Sequence, residues 1–560
     1  MKRFSVLLLG AIFLSLTLAC ASKAVSTSPT STTSAPTSTT SAPTSTTSTP
    51  TSKTSAPATT STPVRPTGNL RIGVAELSTE EVDPFYAALA SLSYARLIYD
   101  HIVGVDPKTG DLSKDTGLAS DWKVSADGMS YTFTLRKGIT FQNGDLVTAE
   151  DAKFSIERAI RPENTQSNTA GLLRPILKDI QVVDPYTLVV NTKTPSIFVP
   201  YYLSLAGPGL EGAVVPKKVV ESMGDAAFSK KPIGSGPYRF SEQVRGTRLV
   251  LEAMPNHWLI GVPKYQTLTF QIIPEESTRI AALKTGAVDI IAISADNLQQ
   301  VSGTFNFFSN TAATTVGASF NNQWEKIAPY NDKRVREAMN IAINREEISK
   351  FFYKGMAEPA ASGPQANNVL TLGAPKGLKV YPFDQARAKR LLADAGFGSG
   401  FTVDFYSYAK GTSPEMPQLA QALVGYWEAI GIKVNIKATD WGTIRPLWSA
   451  GKLSNSLQTN PVATRAVGNA GWNGYFFSTG NVHVTQDPAL DAIISQTLAA
   501  PDLATWTSLQ GKIIQYSYDN FLEVPVANTG PIFATVKSVT DWQFPLVAWD
   551  LGYQYLVMRR

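Results

Sequence analysis

Hydrophobic and polar positions change character twice along the chain. Phe4 to Ala19 is an apolar run behind Lys2 and Arg3, and residues 21–68 hold almost only Ser, Thr, Pro and Ala. From Asn69 onward two periods alternate. Leu70-Arg-Ile-Gly-Val74 reads as a buried strand, and Tyr131-Thr-Phe-Thr-Leu135 alternates as an antiparallel one does. Thr148 followed by Glu150 and Asp151 supplies a hydroxyl cap and first-turn acids to a helix that sets Ala152, Ile156 and Ala159 on one face. Asp184-Pro-Tyr is a turn into a strand over Thr187 to Val190, and Thr267 to Ile273 is another strand. The pattern predicts helices over Ser277 to Thr285, Asp332 to Asn344, Asp384 to Ala395 and Met416 to Ile430. Gly286, Gly396 and Gly431 end three of them. Strands over Thr402 to Tyr406 and Lys433 to Ala438 complete an α/β rhythm in the C-terminal half.

The apolar run is shorter than the roughly 20 residues a spanning helix needs. With its basic start and the small residue before Cys20, it reads as an export signal over residues 1–20. Thr17-Leu18-Ala19-Cys20 resembles the lipobox of bacterial lipoproteins, although Leu16 stands four places before the cysteine, where the lipobox has leucine three before. The resemblance implies that Cys20 is acylated and anchors the chain to a membrane. Over 21–68, prolines at 29, 36, 43, 50 and 57 repeat every seven residues with nothing apolar between them to bury. That rules out a coiled coil and predicts a solvated, disordered tether.

Length and charge narrow the remainder. A chain of 560 residues, 43% hydrophobic and 17% charged, has material for a large core spread over two or three domains. Lys and Arg outnumber Asp and Glu by 50 to 45, but five of the basic residues stand in 1–68, which has no acid. The folded part is therefore formally neutral, which removes the charge argument for a nucleic-acid partner. One cysteine and three scattered histidines, His101, His257 and His483, exclude a disulfide framework and a Cys/His zinc site.

A run from Leu118-Ala-Ser-Asp-Trp122 through Gly128, Tyr131 to Leu135, Lys137-Gly138 and Phe141, then Asn143-Gly144 and Thr148-Ala-Glu-Asp151, resembles the peptide/nickel class of solute-binding proteins of ABC importers. Further matches follow in the family's order: Pro232-Ile-Gly-Ser-Gly-Pro-Tyr238, Asn256-His-Trp258, Ala282 to Asp289, Asp332 to Asn344, and Asp384 to Gly396. The resemblance implies an α/β, two-lobed periplasmic-binding-protein fold with a hinge and an extra domain in the first lobe. By analogy domain I takes 69–103, 205–315 and 528–560, domain II takes 104–204, and domain III takes 316–527.

Most of the matched residues read as scaffold. Asp127-Gly128 and Asn143-Gly144 are turns, Trp122, Trp258 and Phe141 fill cores, and Arg334, Arg336 and Glu337 lie on a solvated helix face where they pair locally. Peptide-binding members hold the solute's α-amino group with an acid on a domain III loop. The corresponding stretch here, Ser454 to Asn473, has no Asp or Glu and carries Arg465 instead. A buried ammonium without a carboxylate is costly, so a free peptide amine is a poor anchor at that place. The family's carboxylate-holding cation falls near Lys410. Lys410 and Arg465 are the candidate ligand-binding cations; Trp441, Trp472, Tyr406 and Tyr408 are the aromatic candidates for stacking.

The expectation is an extracytoplasmic, lipid-anchored, monomeric solute-binding subunit, in the periplasm or on the outer face of the cytoplasmic membrane. Its partners are a peptide or other small polar organic solute and the permease and ATPase of an importer; it needs no cofactor, metal or catalytic residue. The rival classes are a lipid-anchored hydrolase and a sensing module without transport. No Gly-x-Ser-x-Gly, His-Glu-x-x-His or second cysteine supports the hydrolase.

Overall fold

In the computed structural model the described residues are 66–558 apart from 78, 88–90, 165–172, 208–209, 262, 312, 364–372, 409–412, 464–474, 481, 543, 545–550 and 554–555. Three sheets organise them. A seven-stranded sheet has the spatial order Asn306–Ser309, Ile532–Thr535, Ile290–Ile293, Asn69–Val74, Thr267–Ile272, Arg248–Ala253, Tyr238–Val244. Asn69–Val74 runs parallel to both its neighbours, and the outer pairs are antiparallel. At its centre Leu70, Ile72, Leu268 and Ile290 are fully enclosed in one apolar core, whereas Arg71 of the central strand is only partly buried and pairs with Asp289.

A four-stranded antiparallel sheet, Ala119–Val124, Ser130–Leu135, Thr187–Thr192 and Leu177–Asp184, lies in the segment between two strands of the first. Helix Ala149–Ala159 packs on it through Ala152 and Ile156. Its start is the predicted one: the Thr148 hydroxyl accepts from the Asp151 N–H and the Asp151 carboxylate accepts from the Thr148 N–H. Its last turn carries Arg158, whose guanidinium reaches Asp83 and Asp225 outside this sheet.

The other large sheet has the order Glu358–Pro359, Glu523–Thr529, Thr314–Phe320, Ser456–Thr459, Thr402–Ser407, Lys433–Ala438, with Val462–Ala463 paired to the start of Thr314–Phe320. The predicted helices are present as Lys333–Ile341, Gln385–Asp394 and Met416–Glu428. Asp332 and Asp384 cap the first two, and Gly396 and Gly431 take the left-handed conformation past the ends of the latter two. They close one face of this sheet over Val316, Ala318, Phe320, Val403, Phe405, Leu457, Val524 and Val526.

The chain passes between the two large sheets at 310–313, after Asn306–Ser309, and at 530–531, after Glu523–Thr529. These crossings lie side by side: a Cβ on Gly530 would stand 2.1 Å from the Asn310 carbonyl oxygen, so only glycine fits. Pro531 follows and fixes the direction of the second crossing. Away from the crossings, the Phe198 ring, packed against the core of the four-stranded sheet, meets Trp506 of helix Leu503–Asp519 edge to face at 5.2 Å.

Candidate functional site

Side chains alternate across a strand, so the face of the second large sheet opposite its apolar core collects the other half of the residues. Four of them stand in register on four strands: Glu523 beside Ser319, Ser319 beside Gln458, and Gln458 beside Tyr406. The row is polar and enclosed. Ser319 and Gln458 are fully buried, and neither amide atom of Gln458 has a hydrogen-bond partner among the described residues. The Tyr475 hydroxyl donates to Ser319 Oγ, and Asn460 Nδ2 donates to the same hydroxyl at 3.4 Å. Burial, with Glu523 close by, pushes the Tyr475 hydroxyl well above its ordinary pKa, so it stays a donor. Glu523 sits so close to Gly363 that a Cβ there would be 2.1 Å from Oε2.

An aromatic group adjoins the row. Asp440 caps helix Trp441–Ser449 by accepting from the Thr443 N–H at 3.0 Å, which sets Trp441 at the first position. Trp441 lies 5.4 Å from the Tyr408 ring and 6.5 Å from Trp448, and Trp448 lies 5.8 Å from Tyr475. The Arg445 guanidinium stands 5.9 Å from the Trp441 ring and 5.8 Å from that of Trp448, and donates to Ser449 Oγ at 2.8 Å. Burial lowers its pKa, and Tyr408 acts the other way. The arrangement offers hydrogen-bond donors, acceptors and ring faces on one face of the sheet. Among the described residues there is no group of three His, Cys, Asp or Glu side chains that could hold a metal.

Of the residues singled out from sequence, the structure brings Tyr408 and Trp441 together and sets Tyr406, half-buried, in the polar row. Lys410, Arg465, Trp472 and Cys20 lie outside the described residues. Sequence reading passed over Gln458, Tyr475, Glu523 and Arg445. The signal for Arg445 was present, since it falls four residues after Trp441 and three before Trp448 on one helix.

One scaffold expectation changes. Arg336 is not on a solvated face: it is buried and donates to the carbonyls of Tyr330 (2.9 Å), Asn331 (3.0 Å) and Asn520 (3.1 Å), and burial brings its pKa down to about 10. Arg334 does pair locally, with Asp332, whereas Glu337 pairs with Arg387 of the neighbouring helix. Trp258, half-buried, packs against the core of the four-stranded sheet as expected, and its indole N–H also donates to Asp100 at 2.8 Å, next to His257 Nε2 at 3.1 Å, while the N–H of Ile260 donates to His257 Nδ1. The Asn256-His-Trp258 motif thus builds a turn around one carboxylate.

Comparison with known proteins fits this architecture. The family model for bacterial extracellular solute-binding proteins, family 5, matches residues 115–480. Heme-binding protein A of Haemophilus influenzae is 27% identical over 386 residues, 64% of this chain and 68% of its own. Glutathione-binding protein GsiB of Salmonella choleraesuis is 29% identical over 365 residues, again 64% and 68%. Among solved structures, the ABC transporter-associated periplasmic binding protein DppA from Helicobacter pylori, in complex with peptide STSA, superimposes with a TM-score of 0.65 at 21% identity, covering 89% of this chain and 99% of that one. At that identity the likeness is one of fold, the two-lobed α/β fold of periplasmic binding proteins.

Proposed function

Because this chain belongs to family 5 of the bacterial extracellular solute-binding proteins, we propose that it is the capture subunit of an ABC importer, taking a peptide or another small polar organic solute by hinge closure and handing it to the permease. The observation that carries this is the pair of adjacent crossings at 310–313 and 530–531, which joins two large sheets by two short strands of chain. Such a joint lets the bodies rotate about one line, and a solute that contacts both shifts the balance toward the closed form by its differential affinity. The names of the glutathione-binding and heme-binding relatives and the peptide in the DppA structure support a small organic solute over an ion.

The reading includes domains I, II and III with the boundaries given above, and a ligand site that includes Tyr406, Tyr408, Trp441, Trp472, Lys410 and Arg465. It includes an export signal over 1–20, a lipid on Cys20, a tether over 21–68, and a monomer that catalyses no reaction on its solute. The membrane anchor is supported by the lipobox-like Thr17 to Cys20, and the absence of a reaction by relatives that are binding proteins.

Native mass spectrometry of the protein purified from its expression host, with identification of whatever is released, tests the reading when paired with thermal shift against the same compound. Tight binding raises the melting temperature by mass action. A co-purified peptide or small polar organic molecule that raises it, and that compacts the protein in small-angle scattering, is the expected result. Turnover of the compound would overturn the reading, as would binding without compaction.

A further inference from the structure

Helix Leu503–Asp519 is held firmly in its own body. The Asp502 carboxylate accepts from the Thr505 N–H at its start, and Ile513 and Ile514 sit in an apolar core with Tyr408, Trp448 and Tyr475. About two turns before those isoleucines the helix carries Trp506, which is 0% exposed and whose ring meets Phe198 edge to face at 5.2 Å. Phe198 is mounted as firmly in the other body. The Tyr202 N–H donates to its carbonyl at 2.9 Å, and Val199, Tyr202 and Leu203 just after it belong to the core of the four-stranded sheet. The two rings thus stand on opposite sides of the crossings at 310–313 and 530–531, and rotation about that joint changes the gap between them. One atom of the pair is unsatisfied. Trp506 Nε1 is shut from water and has no hydrogen-bond partner among the described residues. A donor left in that state costs free energy that a phenylalanine ring would not, and the cost is recovered as soon as water reaches the N–H.

We propose that Phe198 and Trp506 form a counterweighted latch between the two bodies: the ring contact holds the closed form, and the unpaired indole N–H, which regains water only when the bodies separate, pulls the empty protein open. Two effects of opposite sign meet at one side chain. An edge-to-face ring pair shifts an equilibrium about twofold to twelvefold toward the form that makes it. A buried donor without an acceptor shifts it about fivefold or more the other way. The outcome is a protein that closes with little resistance around a solute and does not stay shut without one. The contact is between protein and protein, so the bias is the same for every solute. The inference rests on the hinge reading and adds how the resting balance between open and closed forms is set.

The test is small-angle scattering of the full chain, refolded from urea to strip any carried solute, as wild type, Phe198→Leu and Trp506→Phe. Phe198→Leu keeps an apolar side chain on the four-stranded sheet and removes the ring edge, so without solute it is expected to be more open than wild type, with a larger radius of gyration. Trp506→Phe keeps a ring and removes the N–H, so it is expected to shift about tenfold toward the closed form, with a smaller radius. A packing role for the pair does not produce opposite shifts from the two sides of one contact. Shifts in the same direction, or radii that do not differ, would overturn the latch; a lower urea midpoint of Phe198→Leu with an unchanged radius would assign that ring to packing. Glutathione and tetra-alanine, used as probes, separate the latch from the hinge. A wild type that either probe compacts, with the three solute-free radii alike, would overturn the latch alone. Radii that are alike and that neither probe moves would overturn the hinge with it.

Discussion

Arg158 holds Asp83 through two parallel hydrogen bonds, Nη1 to Oδ1 and Nη2 to Oδ2, each 2.7 Å long, with both side chains shut away from water. Arg158 ends the helix that packs on the four-stranded sheet, whereas Asp83 stands in the loop after strand Asn69–Val74 of the first large sheet. A third bond runs from Nε to Asp225 at 2.7 Å. Burial by itself would lower the arginine's pKa, but the two carboxylates outweigh it and hold the value above the ordinary one. The pair is what fastens the four-stranded sheet to its neighbour at this end of the helix.

Removing one partner leaves an uncompensated buried charge. Asp83→Ala is expected to lower unfolding stability by about 3–5 kcal/mol. Asp225→Ala should cost less, because Asp225 is 28% exposed and water can take its place. Urea midpoints of the two variants against wild type check both values; equal losses would contradict the ranking.

His101 gives a pH dependence with a fixed sign. Burial first, and the Arg96 guanidinium next, hold its pKa at about 3. In the unfolded chain it titrates near the ordinary value of about 6.5. Above that pH both states are neutral at this position and the contribution is constant. As pH falls from about 6.5 toward 3, the unfolded chain takes up a proton that the folded one refuses, and stability drops. His101→Gln is expected to flatten the urea midpoint between pH 7 and pH 5 relative to wild type. A slope that the substitution leaves unchanged would assign it to other groups.

At the crossings, Gly530→Ala places a methyl group against the Asn310 carbonyl, and backbone must move to admit it. The expected cost is about 1–3 kcal/mol. The same variant should compact less than wild type in small-angle scattering with a solute that wild type binds, because the two crossings no longer lie together. An unchanged urea midpoint would contradict the close approach.

Cys20→Ala is expected to release the chain from the membrane fraction of cells that lipidate exported proteins, since one acylated cysteine is the whole attachment in this reading. Membrane retention of the variant, measured by fractionation and immunoblot, would remove the lipid anchor from the account.

What could be read from sequence was what is local in the chain. Thr148 announces a helix start because a cap and its helix are covalent neighbours, and it accepts the Asp151 N–H; Asp332 and Asp384, read as the first residues of their helices, prove to be caps that accept from the N–H groups of Arg334 and Arg387. Tyr408 and Trp441 could be named as candidates because aromatic residues just beyond strand ends stand out, although their 5.4 Å approach could not. Arg336 was misread because its partners are carbonyls, one of them on Asn520 far along the chain, and charge rules for a single helix do not see them. The row from Glu523 to Tyr406 escaped for the same reason: its four members come from four strands, and only the register of the sheet makes them neighbours.

The first large sheet also sets an order of events for the chain. Strand Ile532–Thr535 lies between Ile290–Ile293 and Asn306–Ser309 and bonds to both. A polypeptide emerging from its N-terminus makes those two strands long before the one that joins them, and until residues 532–535 arrive their edges stand open. Closing such a gap is slow, because it joins segments that the rest of the chain separates. The body that contains the earliest strand is therefore finished last. A chain cut before residue 532 would keep two bare strand edges, the surface on which chains pair with one another and aggregate.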